Sequence, residues 1–401
     1  MNVLFLSPEI PYPPNRAGRM DIYYSLLEMK RNDWNIYLVF VDNGEENLAN
    51  SLDFLKSICD KIIFIKHKKN PVSLLHPSLP YYAASNRPNR TERNQLANFI
   101  SSLDKQIDVV IMDHPQVFEA AKYIIGQLKT RQDIGPRIIY RMHNIEADYY
   151  EYFARDLPVF SPRKYLNLAE MHKMKRYERS VANYADKILC LSKTETEYIN
   201  DSKQYSTRAV WCPILFKPDT ELSEEEMTEY VNLRNTYKDK TVLLFLSNFQ
   251  NRFNVNAAEW FIQNVLPGLI ENKPDIIFHI AGYDADKYLA KYDSGHIKIF
   301  SNVKSAKPFI KLADLVLILT NSKAGVKVKL IEALYYNKKI VSTYEGVVGS
   351  GLEEYIPSAN SPELFAGYCL QAIDNQFDYG PARENFARLY RTDNFLKEVK
   401  P

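Results

Sequence analysis

The sequence predicts an α/β protein of two doubly wound domains facing a central cleft. Three observations carry that expectation. Short, continuous apolar runs rich in Val and Ile alternate with longer amphipathic stretches, the pattern of parallel strands covered on both faces by helices. The alternation stops once, near residues 212–240, and then resumes. With 401 residues, 46% hydrophobic and 13% aromatic, the chain is long and apolar enough for two or three cores.

In chain order, the first domain's strand runs are VLFL at 3–6, IYLVFV at 36–41, KIIFI at 61–65, DVVIM at 108–112, RIIYRM at 137–142 and KILCL at 187–191. Residues 21–31 and 116–130 have helical length and periodicity between them. Pro213, Pro218 and the acidic residues 224–226 then mark a solvent-facing linker. Beyond it come VLLFL at 242–246, DIIFHIA at 275–281, HIKIF at 296–300, DLVLIL at 314–319 and KKIVST at 338–343. Residues 381–401 read as a closing helix with Phe386, Leu389, Tyr390 and Phe395 as apolar contacts. The expected domains are therefore residues 1–212 and 213–380, with 381–401 able to pack on either, including back on the first.

Composition removes several classes. Fifty-one Lys and Arg against 49 Asp and Glu leave a net charge of +2, too little for a protein that coats nucleic acid. Four scattered cysteines, Cys59, Cys190, Cys212 and Cys369, suit neither a disulfide framework nor a zinc cluster. No apolar run reaches the length of a membrane span, and residues 1–8 lack the features of a signal peptide, so the expectation is a cytoplasmic protein.

Glycine is scarce, 13 in all, yet Gly325, Gly346, Gly349 and Gly351 fall within residues 325–351, where chance would put about one. The stretch after DLVLIL reads NSKAGVKVKLIEALYY: a glycine loop running into a helix, which offers free amides and a positive dipole end to a phosphate. Lys327 and Lys329 add charge there. Glu332, one turn further in, could accept hydrogen bonds from vicinal ribose hydroxyls. The plain alternative is an ordinary helix with its Lys and Glu in water.

The run AGVKVKLIEALYYNKKIVST resembles the donor-binding signature of glycosyltransferase family 4, of the GT-B class with two Rossmann-like domains. LFLSPEIPYPPNRAGRM, HNIE and LFLSNFQNRFNVNAAEWFIQNVLPGL agree in order and spacing, over nearly the whole chain. The resemblance implies an enzyme, a retaining, metal-independent hexosyltransferase with no cofactor. It would move a sugar from a nucleotide-sugar donor to a hydroxyl of a glycan or lipid-linked acceptor. The first domain would take the acceptor and the second the donor. Glu332 matches the ribose-holding glutamate, Gly325 lies in the donor loop, and Gly18, in the loop at residues 13–19, matches the glycine that approaches the diphosphate and sugar. His143 matches the family's histidine near sugar and acceptor.

Two departures qualify the match. Ala324 stands where many members carry a first glutamate, and Ser247, Asn248 and Asn254 stand near the usual Arg and Lys. Arg252, Lys327 and Lys329 are the available phosphate ligands. Asp284 and Asp286 echo an Asp-x-Asp metal motif, but Asp284 reads more simply as a helix cap. Residues 161–180 hold six Lys and Arg against two Glu, a solvated helix face or a peripheral contact with the inner membrane surface. A sugar-nucleotide epimerase and a non-catalytic partner of another transferase are the alternatives in function.

Overall fold

The computed structural model describes residues 1–45, 47–68, 70–155 and 157–400. The chain divides into two units, residues 1–215 with 390–401, and residues 216–389. The divisions fall at Leu215/Phe216 and Leu389/Tyr390, where the sequence suggested 212/213 and 380/381.

The first unit holds seven parallel strands: β1 (Asn2–Ser7), β2 (Asn35–Asp42), β3 (Lys61–Lys66), β4 (Val109–Asp113), β5 (Arg137–Met142), β6 (Lys187–Cys190) and β7 (Ala209–Trp211). Their order is β3-β2-β1-β4-β5-β6-β7. The chain therefore runs outward from β1 in one direction and, after β4, in the other; loops leaving the C-terminal ends of β1 and β4 flank that reversal, the usual place for a ligand in such sheets. Leu4 and Leu6 pack on one face of the sheet, Val3 and Phe5 on the other, which is why these strands read as unbroken apolar runs.

The helices of this unit include α1 (Ala17–Arg31), α2 (Glu146–Arg155) and α3 (Pro162–Tyr184). The second unit repeats the pattern with β8 (Thr241–Asn248), β9 (Ile276–Tyr283), β10 (Ile297–Ser301), β11 (Leu315–Ile318) and β12 (Lys339–Ser342), in the order β10-β9-β8-β11-β12. Its reversal lies between β8 and β11, which pair at Leu243 with Leu315. Helices α4 (Arg252–Asn264) and α5 (Val328–Tyr335) leave those two strands. The last helix, α6 (Thr392–Val399), buries Phe395, Leu396 and Val399 in the core of the first unit; residue 401 is outside the described residues.

The linker reading is corrected in part. Residues Glu224–Thr236 form a helix, closed by a capping box between Ser223 and Glu226 and anchored by Lys304–Glu225 (2.7 Å) and Ser305–Glu226 (2.6 Å). Its three acids occupy the first turn, where the dipole favours them. All four cysteines are buried as free thiols. Among the described residues no helix is long and apolar enough to cross a membrane.

Candidate functional site

In the second unit the residues singled out in the sequence gather at one end of one strand pair. Arg252 opens α4 just past β8, and Gly325, Lys327, Lys329 and Glu332 follow β11, the neighbouring strand. Gly325 has φ +60°, a left-handed conformation that a side chain would strain, and it turns the chain into α5. Gly349 and Gly351 also have positive φ, and a Cβ on Gly346 would lie 2.9 Å from the Ile318 carbonyl oxygen; the glycine cluster is thus required by geometry.

The start of α5 is electrostatically unusual. Its N-cap is Lys327, which offers no side-chain acceptor to the free amides, and its first turn contains no acid. Lys327 Nζ instead folds back to the Ala324 and Gly325 carbonyls, at 2.5 and 3.2 Å. Lys329 is half-buried, its Nζ 3.3 Å from the Leu319 carbonyl and 4.6 Å above the centre of the Phe245 ring. Burial first, and the Lys327 charge second, push its pKa down to about 7. Two ammonium groups at the positive end of a helix dipole repel one another and the dipole, and an anion placed there removes the penalty.

Glu332 completes the arrangement. Its carboxyl is half-buried, has no hydrogen-bond partner among the described residues, and is pushed up to about 7 by burial. Arg252 is exposed, on the same helix as Glu259, whose carboxyl pKa its charge helps to lower. Asn254, near one of the places where the sequence departs from the resemblance, is buried and donates to the Asn248 carbonyl at 2.7 Å, a structural role.

The first unit has its own cluster, at the C-terminal ends of β4 and β5. Asp113 ends β4, wholly buried, and carries a histidine on each oxygen: His143 Nε2 lies 3.0 Å from Oδ1 and His114 Nδ1 2.6 Å from Oδ2. The two imidazoles lie 3.9 Å apart between centres, their planes tilted by 32°. Burial would raise the Asp113 pKa, but the two histidines overcome it and hold the carboxyl well below its usual range. His114 moves upward, because Asp113 outweighs the desolvation that opposes it. His114 also has φ 66°, uncommon for a residue with a side chain and a mark of a constrained site.

Behind these groups Arg141, at the end of β5, is completely buried. Its guanidinium pairs with Asp21 of α1 at 2.6 Å, donates to Ser25 at 2.8 Å, lies 3.7 Å from Asp113 and stacks 4.8 Å from the Phe395 ring of α6. Asp21 in turn sits 3.3 Å from His143 and accepts from the Leu215 amide at 2.7 Å. Two carboxylates thus balance one guanidinium and the imidazole of His114. Asp113, His114 and His143 are close enough to share a cation, but the Arg141 charge beside Asp113 and the proton favoured on His114 oppose one.

Gly18 differs from its expected place. It lies in the first turn of α1 rather than in an open loop, and a Cβ there would meet only Glu9 Oε1 at 3.9 Å. The neighbouring Arg19 is fixed by Glu9, at 2.6 Å, and by Glu45. Asp284 occupies an N-cap position, but its side chain makes no capping bond; its Oδ2 accepts from Gln250 at 3.1 Å, and Asp286 is engaged with Ser301.

Sequence reasoning found His143 and missed Asp21, Asp113, His114 and Arg141. The available signal was Asp-His directly after the apolar run DVVIM, at a strand end.

Residues 240–375, about a third of the chain, match the family model described as Glycosyl transferases group 1. Over 392 residues the chain is 24% identical to an uncharacterized 44.6 kDa protein in the cps region of Klebsiella pneumoniae, covering 93% of this chain and 91% of that protein. Anabaena HepE, solved in complex with UDP, superposes with a TM-score of 0.62 at 12% identity over 100% of this chain and 98% of that one. Staphylococcus aureus TarM, solved as a variant with fondaparinux, alpha-GlcNAc-glycerol and UDP, gives 0.62 at 10% over 99% of each. At such identities the likeness is one of fold, two Rossmann-like α/β units.

Proposed function

We propose that this protein is a glycosyltransferase that moves a hexosyl unit from a UDP-sugar to a hydroxyl of a growing glycan or a lipid-linked acceptor, with retention of configuration and without a metal. The observation that carries the reading is the start of α5: two lysines at a helix N-terminus without an acid or a capping side chain, one turn before a carboxyl with no partner among the described residues, within the stretch that matches the family model. The UDP complexes of HepE and TarM support uridine as the base.

In this reading Lys327, Lys329 and Arg252 neutralise the diphosphate as it departs, the amides after Gly325 approach it, and Glu332 accepts from the ribose hydroxyls. The anomeric carbon exchanges its bond to the diphosphate oxygen for one to the acceptor oxygen, and the acceptor proton passes to the departing diphosphate. On the acceptor side, His143 and His114 hydrogen-bond to sugar hydroxyls through the ring nitrogens that Asp113 does not hold.

Thermal unfolding with UDP, ADP, GDP and a panel of UDP-sugars tests the proposal. A bound nucleotide at a hundredfold excess over Kd adds about 2.7 kcal/mol of stability. UDP and one UDP-sugar should raise the melting temperature most, and transfer from that donor should survive a chelator. No shift with any nucleotide would refute the reading.

A further inference from the structure

The outer face of α3 is one-sided in charge. Its exposed positions recur at helical spacing and include Arg163, Tyr165, Leu166, His172, Lys175 and Arg176, without an acid among them. Both acids of the helix are turned inward and used there. Glu170 accepts from the Tyr81 amide and from Lys173, each at 2.7 Å, and Glu178 accepts from the Glu146 and Ala147 amides that begin α2, at 2.7 and 3.1 Å. The fully exposed charges of the helix, Arg163, Lys175 and Arg176, are thus all cations.

At the N-terminal end of this strip the chain exposes apolar side chains that no packing accounts for. Phe160 is 94% exposed and Val159 62%, immediately before α3, and Tyr165 is 58% exposed on its second turn. Lys164 Nζ ties the helix back to the Leu157 carbonyl at 3.1 Å, so this tip is held against the helix rather than left as a free tail. Tyr149 and Phe153 of α2, in edge contact at 5.2 Å, continue the exposed aromatic surface. Further along α3, His172, Lys173 and Arg176 line a recess of about 630 Å³ with Ser78, Ser180 and Lys122, the last paired with Glu119 at 2.6 Å.

An apolar tip beside a strip of cations matches a surface whose anionic plane overlies a hydrocarbon interior; a nucleic acid or acidic protein would leave Phe160 and Val159 without a counterpart. We infer that the tip preceding α3 and the outer face of α3 form a docking surface for an anionic lipid bilayer, with Phe160 and Val159 inserted below the phosphate plane and Arg163, Lys175 and Arg176 against the headgroups. This inference is independent of the nucleotide-sugar reading, because none of these residues belongs to the α5 site or to the Asp113 cluster.

The test is co-sedimentation of the full chain with phosphatidylcholine vesicles and with vesicles containing phosphatidylglycerol, across a salt series. Binding should require phosphatidylglycerol and weaken as salt rises. A basic residue near such a surface is worth about fivefold in partitioning, so the triple variant Arg163→Glu, Lys175→Glu, Arg176→Glu should lose at least about 100-fold. Phe160→Asp should also release the protein, and both variants should keep the wild-type melting temperature. Equal binding to the two vesicle types, or binding unaffected by either variant, would overturn the inference. So would a dimer dissolved by Phe160→Asp, or salt-sensitive RNA binding, if either occurred without vesicle binding.

Discussion

Lys329 turns the proposed diphosphate site into a measurable proton linkage. With its pKa near 7, the amine is about 90% neutral at pH 8. A diphosphate beside it favours the charged form, so binding UDP should take up about 0.9 proton at that pH. Two other groups stay nearly silent there. Glu332, with a pKa also about 7, is already mostly ionised, and a terminal phosphate with a second ionisation near pH 6 has finished titrating. The affinity for UDP should therefore fall almost tenfold per pH unit between about pH 8 and 9.5, since the slope of log K against pH equals the protons taken up. Calorimetry in buffers of different ionisation enthalpy reads the proton number directly. Lys329→Met should bind UDP more weakly and lose both the uptake and the slope. A wild-type slope near zero, or one that persists in Lys329→Met, would refute the assignment.

The remaining perturbations address the first unit and the core of the second. His143→Ala should slow transfer at least tenfold and leave UDP affinity unchanged; an unaltered rate would make His143 structural. Asp113→Asn removes the charge that raises the His114 pKa, so if protonated His114 assists turnover the alkaline limb of the pH–rate profile should move to lower pH, and an unmoved limb would contradict its role. His279 is buried between Tyr237 and Phe300 with both ring nitrogens unbonded among the described residues, and burial lowers its pKa to about 4. A folded-state pKa below the unfolded one gives stability that is complete above about pH 6.5 and is lost as the pH falls toward 4, about 3 kcal/mol in all. His279→Phe should flatten that part of the urea-stability profile; a profile unchanged by the substitution would show that other groups set it.

The strands were legible because burial on both faces demands continuous apolar runs, and eleven of the runs read from the sequence coincide with observed strands. Ala209–Trp211 escaped because three residues carry no pattern. The helix Glu224–Thr236 escaped because it buries no residue fully and is held by its cap and polar contacts with Lys304 and Ser305. In the α5 site the information was local: Gly325, Lys327, Lys329 and Glu332 lie within eight residues of one another. The Asp113 cluster was not, since Arg141 meets Asp21 across 120 residues of sequence and only the strand order brings α1 beside β5. Gly18 misled for the opposite reason: a glycine near a strand end looks like a loop, whereas here it occupies a helical first turn where a Cβ would fit.

The central claim, that the α5 site binds a nucleotide through both its diphosphate and its ribose, is tested most directly by titrating the wild type and Glu332→Ala with UDP and with 2′,3′-dideoxy-UDP. A hydrogen bond to a charged acceptor is worth about 1.5–3 kcal/mol, or about 10- to 150-fold in Kd. The wild type should prefer UDP by that margin and Glu332→Ala should bind the two ligands alike; a preference for UDP that survives in Glu332→Ala would contradict the claim.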